Sequence, residues 1–323
     1  MTSRDRRICR PRIQPDHTVY SAHGRRVGQL SRPTSTSGPC KVTDLVRTTT
    51  ASFGADRDWL LRFCPPHSAQ ALNALFDVEN EVMASLRDGL EHSVAHARLE
   101  WWTDELNRLA QGSPRHPAAR TLATYALEHG TTPPDLTALV EHVRVDLACV
   151  AFLSRSELDD HLGSWSRSIF RAAALIGAVA HSSDDRVNTD RPSVERLAVN
   201  AGSLVRELEL LRDFSSHAIA GRIYLPLGDP PEPHAPWATR PLGEKETRAL
   251  TSRREAIGLQ LKQFAAETPP SMRPMLRIPM LWMCFALARH RSDSALLSPL
   301  RRTIAAWRGA LALSRGRLPT ELL

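Results

Sequence analysis

The sequence predicts an all-α fold in a single domain, carried behind a disordered N-terminal tail. Three observations lead there. From about Asp56 onward, apolar residues recur at spacings of three and four, the signature of amphipathic helices. Alternating β-branched runs are nearly absent, and the chain has only three Tyr, so strands have little to be built from. Between the periodic stretches stand short breaks rich in Pro, Gly and Ser, which end helices.

Residues 1–48 show no sustained period and are rich in Pro, Ser, Thr, Gly and Arg, so a disordered basic tail is expected. Residues 49–323 are expected to make the folded domain. Pro65-Pro66 precedes a long helical stretch from Ala69. Gly112-Ser113-Pro114 closes the segment that holds Trp101-Trp102, and residues 130–134 separate two further helices. A polar loop over 182–192, a Pro-rich loop over 227–241 and Pro269-Pro270 mark the later boundaries. About eight to ten helices result, with no internal repeat.

Charge and cysteine usage narrow the function classes. The net charge is +7, but residues 1–50 hold ten Lys/Arg and three Asp/Glu, leaving 32 of each sign in the remainder. A nucleic-acid-binding domain carries its basic patch on folded elements, so no nucleic-acid partner is expected. The five cysteines (Cys9, Cys40, Cys64, Cys149 and Cys284) are odd in number and form no CxxC pair. Neither a disulfide framework nor a zinc site is suggested, and a reducing compartment follows. The first twenty residues lack a secretory apolar core. The apolar spans 172–180 and 278–288 fall well short of the ~20 residues that cross a bilayer. The expected location is the cytoplasm, with at most peripheral contact to the inner membrane.

Two helices carry polar stripes. At 100° per residue Arg206, Glu209, Asp213 and His217 share one face, and Leu204, Leu208, Leu211 and Ala218 lie opposite. On the helix from Ala69, Asn73, Asp77, Asn80, Glu81 and Asp88 share one face, against Leu72, Leu75, Val82, Leu86 and Leu90. An ordinary solvated helix with i,i+4 pairs has the same pattern. If the stripes instead face each other across a cavity, carboxylates four apart can hold Mg²⁺, which takes oxygen ligands and stabilises a leaving diphosphate.

The run Leu211-Arg212-Asp213, followed by Gly221-Arg222-Ile223-Tyr224-Leu225-Pro226, resembles the second acid-rich region of the squalene/phytoene synthase family. Arg212, Asp213, Ala218, Gly221, Arg222, Tyr224, Leu225 and Pro226 match that region without a gap. Residues 71–75 (ALNAL) resemble the lead-in to the family's first acid-rich helix, and residues 101–106 (WWTDEL) resemble the helix after it. His116-Pro117 and Asp146-Leu147 also fall where the family has similar residues. The resemblance spans roughly residues 55–315. It implies an isoprenoid-synthase-like helical bundle around a central cavity, and Mg²⁺-dependent head-to-head condensation of two prenyl diphosphates.

Under that resemblance Glu81 and Asp213 would hold Mg²⁺, helped by Asp77, Glu79 or Glu209. Arg212 and Arg222 would contact diphosphate beside Asp77 and His217, and Tyr224 would border the reacting pocket. The motifs depart from the family pattern. Asn80, Glu81 and Ala84 stand where an Asp-Asp-x-x-Asp motif is expected, so one acid remains. His217 replaces the second aspartate of the later motif and Glu209 its asparagine, and imidazole is a poor Mg²⁺ ligand. His161, Trp165, Ser166 and Arg167 fill a stretch where Tyr and Gly are expected. Such erosion, and a C-terminal segment like 297–308, resemble a divergent branch that includes bacterial members and a mitochondrial complex I assembly factor. Two functions follow. One is the family's prenyl transfer, which the kept motif cores favour. The other is a catalytically inactive member that binds an isoprenoid or other lipid ligand, or a protein partner, as an assembly-type scaffold.

Overall fold

The computed structural model describes residues 57–319 apart from 59, 88, 149–150, 153, 180–185, 220–221, 223, 226–242 and 291–297. The tail expected over 1–48 and the Pro-rich loop over 227–241 lie outside the described residues. All regular structure within them is helical.

The chain runs through α1 (Pro66–Met83), α2 (His92–Ala110), α3 (Pro117–Glu128), α4 (Thr137–Leu147) and α5 (Arg155–Trp165). A π turn (Ser166–Phe170) joins α5 directly to α6 (Arg171–Val179). Then come α7 (Arg186–Arg212), α8 (Phe214–Ile219), α9 (Glu244–Glu267), α10 (Arg277–His290) and α11 (Ser298–Ser314). With α5–α6 and α7–α8 each forming one bent rod, these eleven helices make nine rods, within the expected eight to ten.

Local sequence explains the boundaries. Pro66 and Pro117 open α1 and α3 at the position where a missing N–H costs nothing. Ser154 caps α5 by accepting from the Glu157 N–H at 3.2 Å, within a Ser-x-x-Glu capping sequence. Helices α2 and α3 end alike. Gly112 and Gly130 take positive φ of 73° and 62°, and the next residue donates back to Arg108 and Ala126 carbonyls at 2.9 and 2.8 Å. This Schellman closure needs a left-handed residue, for which glycine has no Cβ penalty.

The polar loop expected over 182–192 is corrected in part. Residues 186–192 are helical and belong to α7, with Pro192 inside it. Polar composition and Pro192 suggested a loop, but the helix continues through Pro192, which forgoes the bond to the residue 188 carbonyl and crowds it. Residues 182–185 lie outside the described residues.

Helix α7 is the axle of the bundle. It packs against α5, the π turn, α6, α9 and α10, while α1 packs against α3, α4 and α6, and α11 lies on α10. Leu72, Leu75, Leu99, Leu106, Trp165, Phe170, Leu211 and Trp282 are buried in the core between them. Each large apolar side chain so buried contributes roughly 1.5–3 kcal/mol.

Candidate functional site: a buried polar centre between α1, α4, α5 and α7

The two polar stripes meet different fates. On α1 the residues Asn73, Asp77, Asn80 and Glu81 are all exposed. Asn73 donates to Asp77 at 3.0 Å, and Glu81 pairs with Arg98 of α2 at 3.3 Å. Burial, helped by Glu81 and opposed by His116, raises the Asp77 carboxyl above the usual range. Asp88 lies outside the described residues. The acid that α1 turns inward is Glu79, which is 2% exposed. Its Oε1 accepts from Arg57 at 2.6 Å and from the Trp165 indole at 2.9 Å.

On α7 the stripe points into the molecule. The expected alternative of a solvated face does not hold here, because Arg206 and Glu209 are buried. They pair with each other at 3.0 Å, and the Arg206 guanidinium lies 5.3 Å from the Trp165 ring centroid. Burial alone would make Arg206 easier to deprotonate, but Glu209, Asp146 and Glu79 outweigh it and raise its pKa. Burial pushes the Glu209 carboxyl up, while Arg206, Arg212 and Arg57 oppose the shift. At the α7–α8 junction Asp213 is held by two bonds from Arg212, at 2.9 and 2.6 Å.

His217 and Tyr224 close the centre from the far side. Their ring centroids lie 5.0 Å apart, edge to face. Burial lowers the His217 pKa to about 4, with Arg206 adding to the shift and Asp213 opposing it. Burial and the neighbouring Asp146 keep the Tyr224 phenol protonated well beyond its ordinary range. Arg222 donates to the Leu86 carbonyl at 3.1 Å, so the segment after α8 is tied to the end of α1. Gly221, Ile223 and Pro226 of the same motif lie outside the described residues.

Behind Tyr224 sits a cluster from α4 and α5. His142 and Asp146, four apart on α4, share one face with His161 of α5. The His142 and His161 rings stack at 3.9 Å, and Phe152 and Tyr224 lie beside His161 at 4.9 and 5.8 Å. All three cluster residues are buried. Burial lowers the His142 pKa to about 3. Burial works to raise the Asp146 carboxyl, but His142, His161 and Arg206 outweigh it and hold it far below the carboxylate range.

The structure therefore brings Glu209, His217 and Tyr224 to one centre, with Arg212, Asp213 and Arg222 along α7–α8 and the segment after it. It sets Asp77 and Glu81 on the exposed face of α1. Arg57 and His142 were not singled out by the sequence reading, and Asp146 and His161 were noted only as occupants of family positions. A usable signal was present: His142 and Asp146 lie four apart on the same face of the helix as the buried Leu139 and Val143. A separate cleft of about 240 Å³, lined by Tyr125, Asp135, Arg171 and Arg191 among others, contains none of these residues.

A Mg²⁺ cluster of the type the resemblance implies takes free carboxylate oxygens. Here Glu81 is taken by Arg98, Asp213 by Arg212, Glu209 by Arg206 and Glu79 by Arg57. Four of the five named acids are thus paired with arginine, and the fifth, Asp77, accepts from Asn73 on the exposed face of α1.

The model of the family described as squalene/phytoene synthase matches residues 52–230, more than half of the chain. A comparison with curated proteins finds no match. The matched range runs from just before Arg57 through α1–α8 and past Tyr224, so it contains every residue of the polar centre. With an all-α bundle and a family model over more than half its length, this chain belongs to the squalene/phytoene synthase family.

Proposed function

We propose that this protein is a squalene/phytoene synthase-like member that holds an isoprenoid or similar lipid ligand without ionising prenyl diphosphates through a two-motif Mg²⁺ clamp. The single observation that carries the reading is the pairing of Glu79, Glu81, Glu209 and Asp213, each with its own arginine. Divalent-ion affinity falls as ligand charge is cancelled. A fold of this class supports binding roles as readily as chemistry, since activity resides in the site and not in the architecture. The protein-partner role of an assembly scaffold is compatible with the same loss.

A second reading, Mg²⁺-dependent head-to-head condensation, is favoured by one observation. Arg212-Asp213 and the Gly221–Pro226 sequence are kept. The test separates the two. Purified protein is incubated with Mg²⁺ and farnesyl or geranylgeranyl diphosphate, and diphosphate release and C30 or C40 products are followed. The proposal expects no release above the protein-free rate, and binding of the prenyl diphosphate that EDTA does not weaken. Mg²⁺-dependent product that disappears in Asp213→Ala would overturn it.

A further inference from the structure

The His142–Asp146–His161 cluster has unusual accounts for a protein core. His142 Nε2, His161 Nε2 and both Asp146 carboxylate oxygens are buried without a well-directed hydrogen-bond partner. Yet these atoms face one another. His161 Nε2 is 3.1 Å from Asp146 Oδ1, off the line a hydrogen bond needs, and His142 Nε2 is 3.7 Å from Asp146 Oδ2. Buried polar atoms in native proteins are nearly always paired, and exceptions point to a missing water or ion.

The opposite edge of His142 fixes what its Nε2 can do. Its Nδ1 lies 3.2 Å from the His161 carbonyl oxygen. A carbonyl only accepts, so in this contact Nδ1 carries the proton, and the neutral ring presents a bare Nε2 lone pair to a carboxylate. Two acceptors, His142 Nε2 and Asp146 Oδ2, thus face each other at 3.7 Å, with the Tyr224 phenol beside the same carboxylate. Metal-bound histidines are oriented in the same way, with the far ring N–H given to a backbone carbonyl. Ser164 also donates to that carbonyl, at 2.7 Å, and keeps it in place.

We propose that His142, Asp146 and His161 form a binding site for one late first-row divalent cation of the zinc, cobalt or iron(II) class. One ligand atom from each residue lies within 4.8 Å of the others. Tetrahedral neighbours around an ion with bonds of about 2.0–2.1 Å sit roughly 3.4 Å apart, and the two nitrogen–carboxylate separations, 3.1 and 3.7 Å to different Asp146 oxygens, lie on either side of that. The rings, now 17° from parallel, tilt towards each other when both lone pairs converge on the ion. Two imidazoles and one carboxylate select such metals over Mg²⁺ and leave coordination positions open. Arg206 bears on the site with opposing charge, while Glu209 and Glu79 beside Arg206 offset it. None of the three ligands belongs to either acid-rich stripe, so the proposal does not depend on whether prenyl diphosphates react.

The exposed pair His92 and His96, with Nε2 atoms 2.9 Å apart, is a second place where metal could attach and must be removed first. The test uses untagged full-length protein carrying His92→Gln and His96→Gln. It is dialysed against Zn²⁺ or Co²⁺, desalted and assayed for metal content, visible absorption and melting temperature. The site expects one equivalent of metal, Co²⁺ d–d bands, and a melting temperature raised by about 5 °C at a hundredfold excess over Kd. Adding His161→Gln, or Asp146→Asn if that variant folds better, should cut retained metal about tenfold or more. Metal below about a tenth of an equivalent, with no Co²⁺ bands and no thermal shift, overturns the proposal without any core variant. So does retention of metal in a folded His161→Gln or Asp146→Asn protein.

Discussion

Replacing Arg57 with Met is the sharpest perturbation the polar centre offers. Arg57 is 6% exposed, and its guanidinium sits 2.6 Å from Glu79 Oε1 and near the Phe76 and Trp282 rings. The methionine fills most of the volume but leaves the Glu79 carboxylate buried with only the Trp165 N–H, since its Oε2 already has no hydrogen-bond partner. Breaking a buried pair from one side costs about 3–5 kcal/mol, mostly from the stranded charge. With a urea slope of about 3 kcal/mol per molar, the unfolding midpoint should fall by roughly 1–1.7 M. Adding Glu79→Gln removes the stranded charge and keeps an acceptor for Trp165. The double variant should therefore lose no more than about half of what Arg57→Met alone loses. A single variant within about 1 kcal/mol of the parent, or strictly additive losses, would refute this account of the pair.

Three further outcomes are expected. His217 titrates near 4 in the fold because of burial and Arg206, with Arg222 adding and Asp213 and Asp146 opposing, against an ordinary value of 6.5. The unfolded chain therefore takes up the proton first, so stability is full above pH 6.5 and is lost as pH falls towards 4. The loss is about 3 kcal/mol, and comparing the pH-dependence of denaturation with that of His217→Gln isolates it. Glu207 is buried on α7 and bridges Arg155 of α5 at 2.7 Å and Arg253 of α9 at 2.7 Å. Glu207→Gln should cost about 2 kcal/mol by urea denaturation, less than Arg57→Met, because both arginines reach solvent. Gly202→Ala should lower stability by about 1–3 kcal/mol in the same assay. A Cβ there would collide with Ser166 Oγ and lie 2.5 Å from the Phe170 Cβ.

How far the sequence could be read depended on what kind of information each feature used. Helix ends were legible because they are local: Gly112 and Gly130 close their helices through carbonyls five residues back. The opposite orientations of the two stripes were not legible, because periodicity defines a face without saying what lies in front of it. The stripe on α7 is buried because Trp165 and the Glu79–Arg57 pair arrive from distant chain segments to meet it. The stripe on α1 stays exposed, and the inward acid is Glu79, which the repeat assigns to the apolar side. His142 escaped notice for the same reason. Its significance is its stacking on His161, nineteen residues away. The polar residues 186–192 read as a loop, yet they extend α7.

The π turn at Ser166–Phe170 has a consequence for heredity. A π turn holds one residue more than the α-helical path through the same space. Upstream of it, α5 aims His161 and Trp165 at the polar centre; downstream, α6 sets Gly177 so close that Ile278 would strike a Cβ there. The two halves keep different angular phases, about 100° apart from a continuous helix. Deleting one residue of the turn would let the rod close as a continuous α-helix with both faces still on their partners, whereas a deletion within α5 or α6 would rotate one face away by about 100°. The turn is thus the place along the rod where length can change by one residue while both faces keep their partners.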